Sequence, residues 1–224
     1  MVKICVSGSK GKMGSRIIAL AKEGPEFEVS GEFDVGQDPK PLIESCDCLV
    51  EFTTPEATLA HLAICEKHKK AMVIGTTGLS DEEQAKIKSA ALKIPVVFSP
   101  NMSVGVNLLF KMVRDAAKAL GTEYAVEIIE AHHAEKKDKP SGTAKELARI
   151  VREVKGEVKI PIESVREDEI VGEHTITFDS PLDTIEITHS AKTRDIFAKG
   201  ALLAAKFVAS KPAGLYTIKD VLNI

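Results

Sequence analysis

Val2-Lys3-Ile4-Cys5-Val6 runs straight into Gly8-Ser9-Lys10-Gly11-Lys12-Met13-Gly14, three glycines at three-residue spacing, and then into Arg16, Ile17, Ile18 and Ala21. A short apolar strand, a glycine turn and an apolar helix face form the opening of a βαβ unit. Glycine is needed there because the turn is tight, the backbone approaches a pyrophosphate, and the helix packs closely on the strand. The next strand, Phe27 to Phe33, ends in Asp34. That places an acid about 20 residues past the turn, where one binds ribose hydroxyls. The combination predicts a nicotinamide-type dinucleotide as cofactor.

The same rhythm continues downstream. An apolar run from Cys46 to Phe52 ends at Thr53-Thr54-Pro55, where Thr54 is a cap and Pro55 the first turn of a helix reaching about His68. Ala71 to Ile74 leads into Gly75-Thr76-Thr77-Gly78, and Ser80 with Glu83 caps the following helix. Pro95 to Phe98 leads into Ser99-Pro100-Asn101. Strands that are apolar throughout and alternate with capped helices indicate a parallel sheet covered on both faces. Ligands of such a sheet bind at the carboxyl ends of its strands. Gly8 to Gly14, Asp34, Thr53-Thr54, Gly75 to Thr77 and Ser99 to Asn101 all fall there.

Beyond a helix predicted over Val106 to Leu120 and closed by Gly121, the pattern changes. Glu173 to Phe178 and Thr184 to Ala191 alternate apolar and polar residues, as half-exposed antiparallel strands do. A last apolar helix, Ile196 to Val208, precedes Gly214-Leu215-Tyr216. The expected fold is α/β: a Rossmann-like dinucleotide-binding domain with a parallel sheet, residues 1–102 and 196–224, plus a smaller α+β domain with a mixed sheet, residues 103–195.

Glu130 to Thr143, E-A-H-H-A-E-K-K-D-K-P-S-G-T, concentrates histidines, lysines and a helix start. Pro140-Ser141-Gly142-Thr143 reads as a helix opening, with Thr143 and Glu146 as a capping box and Ala144, Leu147, Ala148, Val151 and Val154 as the apolar face. The first N–H groups of that helix suit a carboxylate. His132, His133 and Lys136 lie just upstream, at the exit of the strand Ala125 to Ile129. Read by itself, the stretch is either an anion site or a solvated charged loop.

Composition excludes several other classes. With 224 residues, 44% hydrophobic and 28% charged, the chain can bury an ordinary core, and its net charge of −3 offers nucleic acid no general attraction. No run of 18 apolar residues and no signal peptide is present, so a cytoplasmic protein without a membrane segment is expected. Cys5, Cys46, Cys48 and Cys65 lack zinc or redox spacing, and Cys5, Cys46 and Cys48 are placed in apolar strand runs as buried hydrophobes. No metal is expected: His132 and His133 point to opposite faces of a strand, and no third ligand is spaced to join them.

The segment from Glu127 to Ala144, E-I-I-E-A-H-H-A-E-K-K-D-K-P-S-G-T-A, resembles the signature of the dihydrodipicolinate (4-hydroxy-tetrahydrodipicolinate) reductases of lysine and diaminopimelate synthesis. The resemblance runs the full length, through Glu51-Phe52-Thr53-Thr54-Pro55-Glu56, Val73 to Gly78, Asn101 to Asn107, Val171-Gly172-Glu173-His174 and Phe197-Ala198-x-Gly200-Ala201. It implies reduction of a cyclic dicarboxylate at ring carbon 4 by NADH or NADPH, with loss of water. The resemblance further implies proton transfer by His132 and Lys136, and substrate binding by His133, Gly142 and Thr143. The cofactor would contact Gly8, Ser9, Lys10, Gly11, Lys12, Met13, Asp34, Gly75, Thr76, Thr77, Ser99, Pro100, Asn101 and Met102. A homotetramer built on the second domain's sheet is implied too, and the alternating strand Thr184 to Ala191 would suit it.

Two departures bear on the cofactor. Only about ten residues separate Asp34 from the next strand, where many members carry a longer segment. Many also place arginine directly after the ribose-binding acid, and here that residue is Val35. A 2'-phosphate thereby loses one partner, for which Lys10 and Lys12 would partly substitute. A homoserine or semialdehyde dehydrogenase would share the glycine turn without the His-His-x-x-Lys and Pro-Ser-Gly-Thr block, and a silent dinucleotide sensor would be expected to lose His132 or Lys136.

Overall fold

The computed structural model describes residues 1–167 and 169–224, which divide into two compact units, Met1–Val104 with Asp195–Ile224 and Gly105–Arg194. The first unit opens with β1 (Val2–Ser7), α1 (Lys12–Ala21), β2 (Phe27–Phe33), α2 (Lys40–Ser45), β3 (Cys48–Glu51), α3 (Pro55–His68), β4 (Ala71–Ile74), α4 (Asp81–Ala91) and β5 (Pro95–Phe98). The second contains α5 (Val104–Ala119) beyond its first residue, β6 (Ala125–His132), α6 (Gly142–Lys155), β7 (Ile162–Arg166), β8 (Gly172–Asp179) and β9 (Thr184–Ala191). The chain returns to the first unit as α7 (Asp195–Val208), β10 (Gly214–Tyr216) and α8 (Ile218–Leu222).

In the first unit six strands pair in the order β10-β5-β4-β3-β1-β2, every pairing parallel, giving a Rossmann-like sheet. All four residues of β3 and of β4 are buried, as expected of strands covered on both faces. Side-chain alternation divides the apolar residues between two cores. Ile4, Val6, Val50, Val73 and Val97 pack with Ile17 of α1 and Ala201 and Ala205 of α7. Cys5, Leu49, Met72 and Val96 pack with Ile43, Leu62 and Ile87 from α2, α3 and α4. Because β2 and β3 lie on opposite sides of β1, the strand order reverses between β1 and β3, the point at which such sheets open a ligand crevice.

The second unit carries a mixed sheet, β7-β6-β8-β9, in which β6 and β7 are parallel and the other pairs antiparallel. Strand β6 alternates exposed and buried residues from Ala125 to Glu130. Its inner face packs Val126 and Ile128 with Val113 of α5, Leu147 and Val151 of α6, and Ile176 and Phe178 of β8.

Several sequence expectations are corrected. Cys46 caps the end of α2, a helix the sequence reading did not place, although the thiol is buried as expected. Strands β7 and β10 were not foreseen, and α5 starts two residues earlier than Val106. Helix α6 is capped by Ser141, whose Oγ accepts the Ala144 N–H at 3.2 Å. Glu146 does not complete a box with Thr143: it accepts instead from Arg149 Nε and Nη2, both at 2.7 Å.

Candidate active site

In the first unit the sequence-selected residues converge as the topology requires. Gly8 to Met13 span the junction of β1 and α1, Asp34 follows β2, Gly75 to Thr77 follow β4, and Ser99 to Met102 follow β5. Gly8 has φ +63°, and a Cβ there would stand 2.7 Å from Thr53 Cγ2, so a side chain would fill the crevice and strain the turn. A Cβ at Gly14 would collide with the Gly8 carbonyl, so the helix can approach the turn only with glycine there. The Lys10 N–H donates to Asp34 Oδ2 at 2.9 Å and the Val35 N–H to Oδ1 at 3.0 Å. Those two amides hold the Asp34 carboxyl below the usual range, leaving an anion with free lone pairs beside the glycine turn. A glycine cradle with an adjacent carboxylate fits the pyrophosphate and ribose of a dinucleotide.

The crevice is braced from beneath by groups the sequence reading did not select. Glu51, with no exposed surface, accepts from the Thr53 N–H at 2.9 Å and from Thr53 Oγ1, and lies 2.6 Å from His61 Nδ1. Thr58 Oγ1 donates to Thr76 Oγ1 at 2.8 Å, tying α3 to the turn after β4. A cavity of about 180 Å³ lies at the same strand ends, lined by Thr76, Thr77, Gly78, Leu79, Gln84, Phe98 and Pro100. Thr76, Thr77 and Pro100 were selected from sequence.

In the second unit His132 is the last residue of β6, and Gly142 and Thr143 form the first turn of α6. His133 and Lys136 lie in the loop between them. His133 N–H donates to the Ile170 carbonyl at 2.7 Å, and Lys136 Nζ pairs with Asp138 at 2.8 Å. Beneath this loop, His132 Nδ1 lies 2.5 Å from Glu130 Oε2, and Glu130 Oε1 accepts the Ser141 N–H at 3.2 Å. Burial pushes Glu130 up, but the Arg166 guanidinium, Ser164 and His132 outweigh it and hold the carboxyl at about 2. Burial lowers His132 despite the opposing pull of Glu130, and it drives His174 down to about 3. The resulting arrangement has a neutral imidazole backed by a carboxylate, beside a helix N-terminus and an ammonium.

Glu130, His132 and His174 present ligand atoms within 4.8 Å of one another, a grouping that spacing on one strand did not reveal. The two oxygens of Glu130 are already taken by Arg166, at 3.0 Å and 2.7 Å, and a cation would have to displace that guanidinium. Within the cluster a hydrogen bond joins Glu130 to His132, while His174 Nε2 meets Ser141 Oγ at 3.1 Å and its ring stacks edge-on against His132. Arg166 and Glu130 escaped the sequence reading because they lie on different strands, 36 positions apart. The His132-Glu130 spacing of two on one strand face was the available signal.

Known proteins resemble this chain over its full length. Residues 2–102 match the family model for the N-terminus of dihydrodipicolinate reductase, and residues 105–222 that for its C-terminus. The 4-hydroxy-tetrahydrodipicolinate reductase of Geotalea uraniireducens is 41% identical over 266 residues, covering 100% of both chains. That of Geobacter sulfurreducens is 39% identical over 265 residues, again with 100% of each chain covered. The solved structure of dipicolinate-bound dihydrodipicolinate reductase from Paenisporosarcina sp. TG-14 superposes with a TM-score of 0.84 at 25% identity, covering 97% of each chain.

Proposed function

This chain belongs to the dihydrodipicolinate reductase family, and from that premise we propose which of its residues carry the reaction and which dinucleotide it uses. The activity is reduction of 4-hydroxy-tetrahydrodipicolinate in the diaminopimelate route to lysine, with a nicotinamide dinucleotide as cofactor. When bound, the cofactor supplies a hydride to ring carbon 4.

Hydride addition to a conjugated imine leaves an electron-rich enamine that must be protonated, and water departs from the ring. His132 and Lys136 are the proton-transfer groups. His132 donates its Nδ1 proton to Glu130 and keeps Nε2 for the reaction, while Lys136 brings a cation to the same loop. His133 and the Gly142-Thr143 turn bind the substrate's carboxylates, the turn through the N–H groups at the start of α6. The observation that carries this assignment is the buried Glu130–His132 pair directly beneath the Ser141 N-cap.

In the first unit Gly8, Ser9, Lys10, Gly11, Lys12 and Met13 cradle the pyrophosphate, and Asp34 receives the ribose hydroxyls. Gly75, Thr76, Thr77, Ser99, Pro100, Asn101 and Met102 line the remaining strand ends. An anionic Asp34 followed by a fully exposed Val35 favours NADH over NADPH, or at least equal use of the two. The outer face of the four-stranded sheet, with Ile129 at 39% exposure, supports a homotetramer, and the cytoplasm is the proposed compartment.

The test is turnover of enzymatically generated substrate with each dinucleotide side by side, together with a thermal shift by dipicolinate, the ligand of the Paenisporosarcina reductase. Dipicolinate should stabilise the wild type by mass action, and Thr143→Pro or Lys136→Ala should abolish that shift while leaving the shift given by NADH. Sedimentation would report the tetramer.

A further inference from the structure

Glu130, with no exposed surface, collects donors from His132, Ser141, Ser164 and Arg166 in the second unit. It accepts from His132 Nδ1 at 2.5 Å, from the Ser141 N–H at 3.2 Å, and from Arg166 Nη1 and Nη2 at 3.0 Å and 2.7 Å. The Arg166 side chain is itself only 6% exposed. Its other bonds go to main-chain carbonyls: Nε to Lys136 at 3.3 Å, Nη2 to Asp138 at 2.6 Å and Nη1 to Val165 at 2.6 Å.

We propose that Glu130 and Arg166 are positioning residues of the reductase reaction, acting together to set the tautomer of His132, to anchor the carboxylate-binding turn at Ser141 and to fasten the loop that bears Lys136. The proposal rests on the roles assigned above to His132, Lys136 and Gly142-Thr143.

Stability alone does not account for the pair. Desolvation offsets most of the attraction between two buried charges, and apolar residues of similar volume often hold a fold as well or better. What an apolar pair cannot do is distribute hydrogen bonds, and those made by Glu130 and Arg166 outside their own pairing, apart from the bonds to Ser164 and to the Val165 carbonyl on β7, go to the segments bearing the reacting and binding groups. With its Nδ1 proton committed to Glu130, His132 has only Nε2 left to work with. Gly172 lies opposite that nitrogen: a Cβ there would stand 3.1 Å from His132 Nε2, so glycine keeps the approach open. Charged and titratable groups around His132 are Glu130 on its own strand, Arg166 on β7, His174 on β8 and Lys136 in the following loop.

Glu130→Gln, Arg166→Met and the double variant separate positioning from structure. Each single change leaves a buried group without its partner and should lower both Tm and kcat, the latter about 10²-fold, the scale of a misplaced reacting group. In the double variant no buried charge is stranded, so Tm should recover while kcat stays low. The limb of the pH–kcat profile governed by His132 should move to lower pH in Glu130→Gln, because the carboxylate that favours its protonated form is gone. A double variant with wild-type kcat, or an unmoved limb, overturns the proposal. Should the double variant not fold, Glu130→Asp decides, since it keeps the charge and shortens the reach: kcat reduced tenfold or more at wild-type Tm supports positioning, and wild-type kcat overturns it. His132→Ala and Lys136→Ala are run in parallel. Wild-type rates in those two overturn the underlying assignment, whereas losses there without loss in Glu130→Gln overturn only the positioning role.

Discussion

The Lys10 N–H lies 2.9 Å from Asp34 Oδ2, so the glycine turn and the acid at the end of β2 are fixed to one another before any ligand arrives. An anion held there favours ribose hydroxyls and repels a 2'-phosphate, and fully exposed Val35 adds no cation to offset it. NADH should therefore be used at least as well as NADPH. Asp34→Ala should shift the ratio of kcat/KM values toward NADPH by roughly tenfold. A wild type preferring NADPH tenfold would mean that Lys10 and Lys12 outweigh Asp34.

Elements defined by local chemistry were legible in the sequence, and those defined by distant partners were not. Thr54 with Pro55 opens α3, and Ser80 with Glu83 forms both halves of a capping box, because such signals span only a few residues. Strands β3 and β4 were visible as apolar runs, although β3 is trimmed to Cys48–Glu51 by the turn that follows α2. Strand β7 ends in Arg166, a residue that looks solvent-facing until its partner Glu130 is known to lie on the adjacent strand. Strand β10 has three residues and is defined by its parallel pairing with β5, which no local pattern announces. Around the candidate site, Gly8, Asp34 and His132 carried recognisable signals and the start of α6 was visible although its cap was misplaced, whereas Glu51, Glu130 and Arg166 are defined by hydrogen-bond partners that only the fold brings together.

Removal of a proton-transfer group should cost rate and spare the cofactor. His132→Ala or Lys136→Ala should lower kcat by about 10²- to 10⁴-fold, the range for a lost general acid. The dissociation constant for NADH, measured by fluorescence titration, should stay within about twofold of wild type, since both residues belong to the second unit and the glycine cradle to the first. Full activity in both variants would remove them from the mechanism.

Ser141, rather than Thr143, should prove to be the helix cap. Its Oγ accepts the Ala144 N–H at 3.2 Å and meets His174 Nε2 at 3.1 Å. Ser141→Ala should destabilise the protein by about 1 kcal/mol, the usual cost of a lost N-cap, and raise KM for the substrate by loosening the carboxylate turn. Glu146→Ala should leave KM unchanged, because Glu146 is engaged by Arg149 on the outer surface of the helix. Urea denaturation and substrate kinetics on the two variants give opposite answers if the cap were a Thr143–Glu146 box.

Acid should weaken the second unit well above the carboxylate range. His174 is 4% exposed, and burial, reinforced by His132, lowers it from 6.5 to about 3. The unfolded chain takes up that proton near pH 6.5 and the folded chain only near pH 3. Between those values the unfolded state binds more protons, so stability falls as pH falls, by at most about 1.4 kcal/mol per pH unit for one histidine. His132 and His189 are lowered in the same direction by burial and steepen the decline. Glu130, held at about 2, adds its own loss only below the ordinary glutamate range, near pH 4.5. Denaturant midpoints measured from pH 7 to 5 should therefore drop for the wild type. His174→Gln, which cannot take up a proton, should show a shallower slope over the same interval. Equal slopes in the two proteins would show that His174 titrates normally and that its burial is relieved before the protein unfolds.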